Sequence, residues 1–277
     1  MSIKDKSLNP KIASVLGVAL VLACGFGLLN LNSPFGSALH NASYDWMYDL
    51  PFMKLRSPTP DAINMIYLDE ASYIDLNQPF NQPWDRAIHA RLLDKLTADG
   101  ARAVIFDIVF SDPGPNTNSD NIFADAIRRN GHVILAADYS ENQSSANQQS
   151  RSKEMTLVTP YEPFLHAAAG WGMAQLQPDE DFLVREHNHG PSDQKFASMT
   201  WTAARLMHLP AAAQNEGRFN ERWINYYSGP DNFPSVSYKV ALDQPPGFYK
   251  DKVVFIGGRP QTGIDRKSTR LNSSHRH

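Results

Sequence analysis

Asp69 and Asp107 each close an apolar run: Asn64-Met65-Ile66-Tyr67-Leu68-Asp69, and Ala103-Val104-Ile105-Phe106-Asp107 continuing through Ile108-Val109-Phe110. If both runs are parallel strands, the two carboxylates sit at C-terminal strand ends, where open α/β sheets bind ligands. Glu70 follows Asp69 directly. Carboxylates of this kind could hold a divalent cation through oxygen ligands. The ligand count is incomplete, so helix capping or ion pairing with Arg86 or Arg185 is the favoured expectation. A metal-dependent hydrolase using Asp69, Glu70 and Asp107 is the competing reading. It would need a nucleophile or an activating base, and no Gly-x-Ser-x-Gly elbow is present.

Other chemistry-bearing patterns are weaker. Gly257, Gly258 and Gly263 follow a strand-like run, but a phosphate loop needs Lys directly after its last glycine and Ile264 stands there. Tight turning of the backbone is the better reading. His187 and His189 alternate, as two metal ligands on a strand would, yet no third ligand lies nearby and solvent exposure is expected. Trp84, Trp171 and Trp201 are expected in the core, with Trp84 adjoining the turn after the first strand.

Presenting strand ends requires a layered scaffold. Asp85 can cap a helix whose Ile88, Leu92 and Leu96 form one apolar face, and Gly100 supplies its stop. Ser119 or Asp120 can cap a second helix carrying Ile122, Phe123, Ala126 and Ile127, closed near Asn130-Gly131. His132 to Ala136 reads as a third strand, and the polar stretch Ser140 to Lys153 as a surface loop. Trp171 to Leu176 reads as a strand, Asp193 to His208 as a helix and Trp223 to Tyr227 as a strand. Val236 to Leu242 reads as a short helix and Lys252 to Ile256 as the final strand. Strands that are apolar throughout, separated by amphipathic helices, predict an α/β domain: a mainly parallel sheet with helices on both faces.

Ile12 to Leu29 carries no charge. Its 18 residues cover about 27 Å as a helix, near the roughly 30 Å hydrocarbon core. Lys4, Lys6 and Lys11 precede it and only Asp5 opposes them, so residues 1–11 are expected to stay cytoplasmic and the rest to be exported. A transmembrane helix over 12–31, kept as a signal anchor, is expected. A cleaved signal peptide and a lipoprotein signal at Cys24 are the alternatives; all three place the remainder outside the cytoplasm. Residues 32–60 are expected to hold a juxtamembrane helix from Leu39 to Phe52, ended by Pro51, and a linker through Pro58 and Pro60. Tyr44, Trp46 and Tyr48 are expected in core contacts, with a place near the membrane interface as the alternative.

Bulk composition fits one sizeable core: 277 residues, 42% hydrophobic, 20% charged, net charge -3. That balance leaves no electrostatic footprint for nucleic acid. The single cysteine, Cys24, excludes an intrachain disulfide.

Several motifs follow one another in order. Ile66-Tyr67-Leu68-Asp69-Glu70-Ala71-Ser72 is a hydrophobic strand ending in an acidic pair and a serine. Gln82-Pro83-Trp84-Asp85-Arg86 opens a helix that carries His89. Phe106-Asp107-Ile108-Val109-Phe110 comes next, then Asp120 with Ala124 to Ile127. Asp179, Asp181, Val184 and Arg185 form a further element. Ile224-Asn225-Tyr226-Tyr227-Ser228-Gly229-Pro230 and Lys250-Asp251-Lys252-Val253-Val254-Phe255-Ile256-Gly257-Gly258 close the set. In order and spacing these resemble the type 2 CHASE domain, an extracellular sensor associated with cyclases and histidine kinases, over residues 45–265. One position departs: that family has Gly after the second Asp of its Asp-x-Asp element, and here Phe182 stands there.

The resemblance implies a signal-receiving domain at 61–265, not itself an enzyme, serving a cytoplasmic effector of the cyclase, histidine kinase or Ser/Thr kinase class. A ligand site drawn from Asp69, Glu70, Ser72, Trp84, Arg86, Asp107 and Arg185 is expected near the C-terminal strand ends. Expected partners are an extracytoplasmic ligand, the membrane and a second copy of the chain as a homodimer, with no nucleic acid, metal or cofactor. The expected location is the inner membrane, single pass, with the sensory domain periplasmic or extracellular. Residues 266–277, RKSTRLNSSHRH, are polar, basic and patternless. They are read as a foreign, adapter-like tail and excluded from the fold; a natural disordered tail is the alternative.

Overall fold

The structure, a computed structural model, describes residues 10–30, 33–49, 61–79, 82–142, 154–179, 181–187, 196–214, 222–226 and 233–259. The expected proline linker, most of the polar loop, His189, Gly263 and the basic tail lie outside the described residues. The chain divides into two units, Met1–Ser57 and Pro58–His277.

The first unit holds α1 (Pro10–Asn30) and α2 (Pro34–Asp49). Apolar residues surround α1 on all sides rather than forming a stripe, as on a helix with no aqueous face. Val15, Leu16, Val18, Leu20, Val21, Leu22 and Phe26 are exposed. Among the described residues no helix is long and apolar enough to cross a membrane. The expected transmembrane segment is therefore present as a helix and not as a demonstrated span. α2 starts five residues before the expected Leu39, because Pro34 suits the first helical position and the Ser33 hydroxyl accepts the Gly36 N–H at 3.1 Å. Trp46 is exposed, not in the core contact expected of it.

The second unit is built on one sheet. Its strands are β1 (Ile63–Leu68), β2 (Ala103–Asp107), β3 (Val133–Asn142), β4 (Glu154–Val158), β5 (Gly170–Met173), β8 (Ser235–Ser237) and β9 (Val253–Gly258). The order is β8-β1-β9-β2-β3, all parallel. Beyond β3, its first half pairs in parallel with β5 and its second half antiparallel with β4. The last strand is thus inserted between the first two, an order that hydrophobic periodicity does not encode. A separate ribbon pairs β6 (Glu186–His187) with β7 (Arg222–Trp223).

Strand alternation sorts the core into two layers. Ile66, Leu68, Val104, Phe106, Val133, Leu135, Val254 and Ile256 face one side. They meet α4 (Arg86–Asp99), α5 (Thr117–Asn130), α6 (Glu162–Ala167) and α8 (Tyr238–Leu242). Leu92, Leu93 and Leu96 of α4 are fully buried there, each contributing about 1.5–3 kcal/mol. Ala103, Ile105, Ile134 and Val253 face the other side and meet Ala203 of α7 (Met199–Leu206). The chain leaves β5 at one edge and must return to β8 at the other; α7 and the ribbon belong to that return.

Helices do cover both faces, though unequally. Asp85 caps α4 by accepting the Ala87 N–H at 3.0 Å, and Gly100 closes it at φ 77°. α5 begins earlier than expected: Asn116 is its cap, accepting Asn118 N–H at 3.0 Å, while Ser119 and Asp120 are buried in its first turn. β3 runs past Ala136 to Asn142, so the start of the expected loop is strand. β2 stops at Asp107, short of Phe110. Phe196 precedes α7 rather than lying in it, and Ile224 to Tyr226 extend no strand. The expected helix from Val236 opens instead as β8.

Candidate functional site

Asp69 ends β1 and caps α3 (Glu70–Asp75). Its Oδ1 accepts the Ser72 N–H at 3.0 Å and the Ser72 hydroxyl at 2.6 Å. The Ser72 Oγ in turn accepts Lys239 N–H at 3.3 Å, tying α3 to α8. Glu70 lies exposed in the first turn of α3, where a negative charge suits the helix dipole.

Trp84 and Arg86 lie beneath this surface. Trp84 is 3% exposed; it packs edge-on against Tyr73 and Tyr238 and stacks on His89. His89 Nδ1 is 2.8 Å from the Tyr238 hydroxyl, and its total burial pushes the imidazole well below its usual range. Arg86 is 2% exposed with its guanidinium 4.5 Å over the Phe110 ring. Its Nε lies 3.9 Å from Asp120 Oδ1. The Asp120 carboxylate also accepts Gly114 N–H, at 2.9 Å to Oδ2. Burial lowers the Arg86 pKa to about 10, opposed by Asp120, Asp112 and Asp85, so the group stays charged at neutral pH. Arg86 therefore pins the segment between β2 and α5 from below.

Asp107 shares the face of β2 that carries Ala103 and Ile105. Its pKa is raised, first by burial of the carboxylate and then by Asp138 on β3. The residue keeps solvent contact, so water screens part of that effect. Gly257 makes room beside it: a Cβ there would stand 3.3 Å from the Asp107 Cβ. Because β9 separates β1 from β2, the ends carrying Asp69 and Asp107 are two strand spacings apart, about 10 Å. Among the described residues no group of three or more His, Cys, Asp or Glu side chains could hold a metal ion.

Arg185 is 3% exposed and clamps its own segment. It donates to Asp179 at 2.7 Å and to both Asp181 oxygens, at 2.9 and 2.7 Å. The Phe182 N–H donates to Asp179 O at 2.9 Å and Phe182 adopts φ 64°. The left-handed turn that glycine would favour is kept with an aromatic residue in it.

The expected residues thus fall into four places. Asp69, Glu70 and Ser72 come together at α3; Trp84 and Arg86 lie in the aromatic core; Asp107 sits on the other face; Arg185 belongs to the return connection. Sequence reasoning missed Asp120 as the partner of Arg86, Asp138 as the neighbour of Asp107, and His187 as a hydrogen-bonding group. The alternation Ile134, Ala136, Asp138 carried the second of these once β3 is read past Ala136. A shallow groove of about 330 Å³ lies elsewhere, beside α7, between Ala169, Trp201 and Leu206.

Residues 16–269 match the CHASE2 domain family. The chain belongs to that family. CHASE2 domains are extracellular sensory domains, and the match covers the sheet, its helices and the return connection. The CHASE2 motif positions read from the sequence have concrete work here: Asp69 and Ser72 cap α3, Arg86 and Asp120 pair in the core, and Arg185 clamps Asp179 and Asp181. No curated protein and no solved structure matches the chain.

Proposed function

We propose that the chain is the signal-receiving part of a membrane-bound receptor. The observation that carries this reading is membership of an extracellular sensory family over residues 16–269. The charge-free run Ile12 to Leu29, with lysines before it, supports an anchor that leaves the N-terminus cytoplasmic and the α/β unit periplasmic or extracellular. The effector is a cytoplasmic cyclase, histidine kinase or Ser/Thr kinase, and two copies of the receptor associate as a homodimer.

The ligand binds near the C-terminal strand ends, contacting Asp69, Glu70 and Asp107. Trp84 and Arg86 act from beneath by holding α4 and the segment after β2, and Arg185 by holding the return connection. A ligand with different affinity for two arrangements of these segments shifts their balance, which is all that signalling requires. The hydrolase reading gains no support, since the Asp69 carboxylate is committed to Ser72 and stands apart from Asp107.

A disulfide-dependent phosphatase reporter fused after Gly258 tests the geography, because such an enzyme folds only in an oxidising compartment. Activity is expected. An inactive phosphatase, together with an active cytoplasmic reporter at the same position, would refute the proposal.

A further inference from the structure

We propose that Phe182 and the groove beside α7 are the two halves of a reciprocal contact between copies of the chain, the ring of each copy entering the groove of the other. The proposal rests on the homodimer reading and supplies its surface. Phe182 stands at the tip of a rigid turn. Its N–H donates to Asp179 O at 2.9 Å, Asp179 N–H donates to Leu183 O at 2.8 Å, and Arg185 grips both aspartates. The backbone at φ 64° is left-handed, which costs an aromatic residue what glycine would not pay. The ring is nonetheless mostly exposed, so the chain by itself recovers little of that cost. A strained conformation kept without internal compensation points to compensation from outside the chain. Leu183, Trp223 and Tyr226 are exposed on the same segment. Trp223 pairs across the ribbon with Glu186, and the Tyr226 hydroxyl donates to Val184 O. Large apolar side chains displayed together on a held turn make an interaction surface, with Phe182 as its pre-organised anchor.

Size and charge name the occupant. The groove measures about 330 Å³ and is lined by Ala169, Ala197, Trp201, Thr202, Arg205 and Leu206. That volume lies at the small end of pockets that take organic ligands, enough for one aromatic ring. Arg205 is the charged member of the set, and it is exposed. The turn carries the opposite sign: Asp179 and Asp181 flank Phe182 against the single Arg185, and both carboxylates keep solvent contact. A ring seated in the groove thus brings surplus negative charge toward Arg205. The same surplus would be repelled by anionic lipid headgroups, which disfavours a membrane as the occupant. Knob and groove also lie close together. His187, five residues beyond Phe182, has its Nε2 3.1 Å from Thr200 Oγ1 at the start of α7. Five residues reach at most about 18 Å. A patch that carries both a projection and its complement side by side is self-complementary, as a two-fold contact between identical chains requires.

Sedimentation equilibrium of the full 277-residue chain in density-matched detergent micelles, over a concentration series, gives the dimer dissociation constant. Phe182→Gly removes the knob without straining the backbone, and Arg205→Glu reverses the charge at the groove. Each is expected to weaken dimerisation at least tenfold. Ile74→Ser, an exposed change on α3, is expected to leave it unchanged. Mixing separates a docked ring from a general surface effect. A Phe182→Gly copy keeps an intact groove and an Arg205→Glu copy keeps an intact ring, so a mixed pair retains one complete contact where each variant alone has none. Carrying different affinity tags, the two variants are therefore expected to associate with each other more tightly than either does with itself. Should Arg205→Glu not fold, Ala169→Trp, which fills the groove from an exposed position, takes its place. Dimerisation of Phe182→Gly as tight as that of the native chain overturns the proposal while leaving the homodimer intact, and gives the ring to another protein or to lipid. A mixture no tighter than its components overturns it as well. A native chain that stays monomeric throughout the series overturns both the contact and the homodimer.

Discussion

A phenylalanine at φ 64° costs free energy that glycine would not. Phe182 is 77% exposed, so within one copy its ring recovers little of that cost by burial. Phe182→Gly is expected to stabilise the monomeric fold by about 1 kcal/mol, read as a rise in Tm, provided the Arg185 clamp stays closed. Asp120 presents the opposite case. Asp120→Ala leaves the Arg86 guanidinium buried without its nearest counter-charge, and a loss of about 3–5 kcal/mol in urea unfolding is expected. Arg86→Met combined with Asp120→Leu should cost less than Asp120→Ala alone, because no charge is stranded; a larger cost would show that the pair does more than neutralise. At Asp107 the sign runs with pH. Its folded pKa is raised, so its contribution is full below the unfolded value of about 3.9 and is lost as pH rises through the folded one. Asp107→Asn is therefore expected to raise Tm at neutral pH by a modest amount and leave it unchanged at strongly acidic pH. Equal Tm at both would show that Asp138 and burial do not oppose the charge.

Between elements, β5 and the start of α7 approach each other closely at Gly172. A Cβ on Gly172 would lie 2.5 Å from the Met199 nitrogen and the Ser198 carbonyl carbon, both backbone atoms that cannot rotate away. Gly172→Ala is expected to cost about 1–3 kcal/mol in the urea midpoint. Gly170→Ala should cost less, since its nearest neighbour is the Thr202 methyl group. Contacts of this kind explain which parts of the fold were legible in the sequence. α4 could be read end to end because Asp85, its apolar stripe and Gly100 agree with one another. β1, β2 and β9 stood out as apolar runs. α3, β4 and α6 were not read at all: six, five and six residues long, they have too little periodicity to stand out. At α5 three capping candidates compete within five residues, and Asn116 takes the role because Asp120 is drawn to Arg86 and Gly114. The candidate site was legible as a set of carboxylates at strand ends. Its dispersal was not, since it follows from the order of strands across the sheet.

For the molecule as a whole, strand order decides how the parts depend on one another. β1 has β8 on one side and β9 on the other, both contributed from late in the chain. A chain ending before Val253 therefore lacks the strand that joins β1 to β2, and loss of a cooperative thermal transition by circular dichroism is expected of it. Mean sequence separation between paired strands is large, which predicts slow folding relative to helical proteins of this size. Translation delivers the N-terminus first. The earliest strand must wait, unpaired, for partners that arrive 170 residues later from Met65 to Ser235 and 190 residues later from Ile63 to Val253; until then its Ile66 and Leu68 lack the sheet that buries them. A pull on the polypeptide just beyond Gly258 enters at the centre of the sheet and shears two parallel ladders together, one toward Leu68 and one toward Asp107. Mechanical load applied there reaches both halves at once, whereas tension on the chain after an edge strand would peel a single ladder.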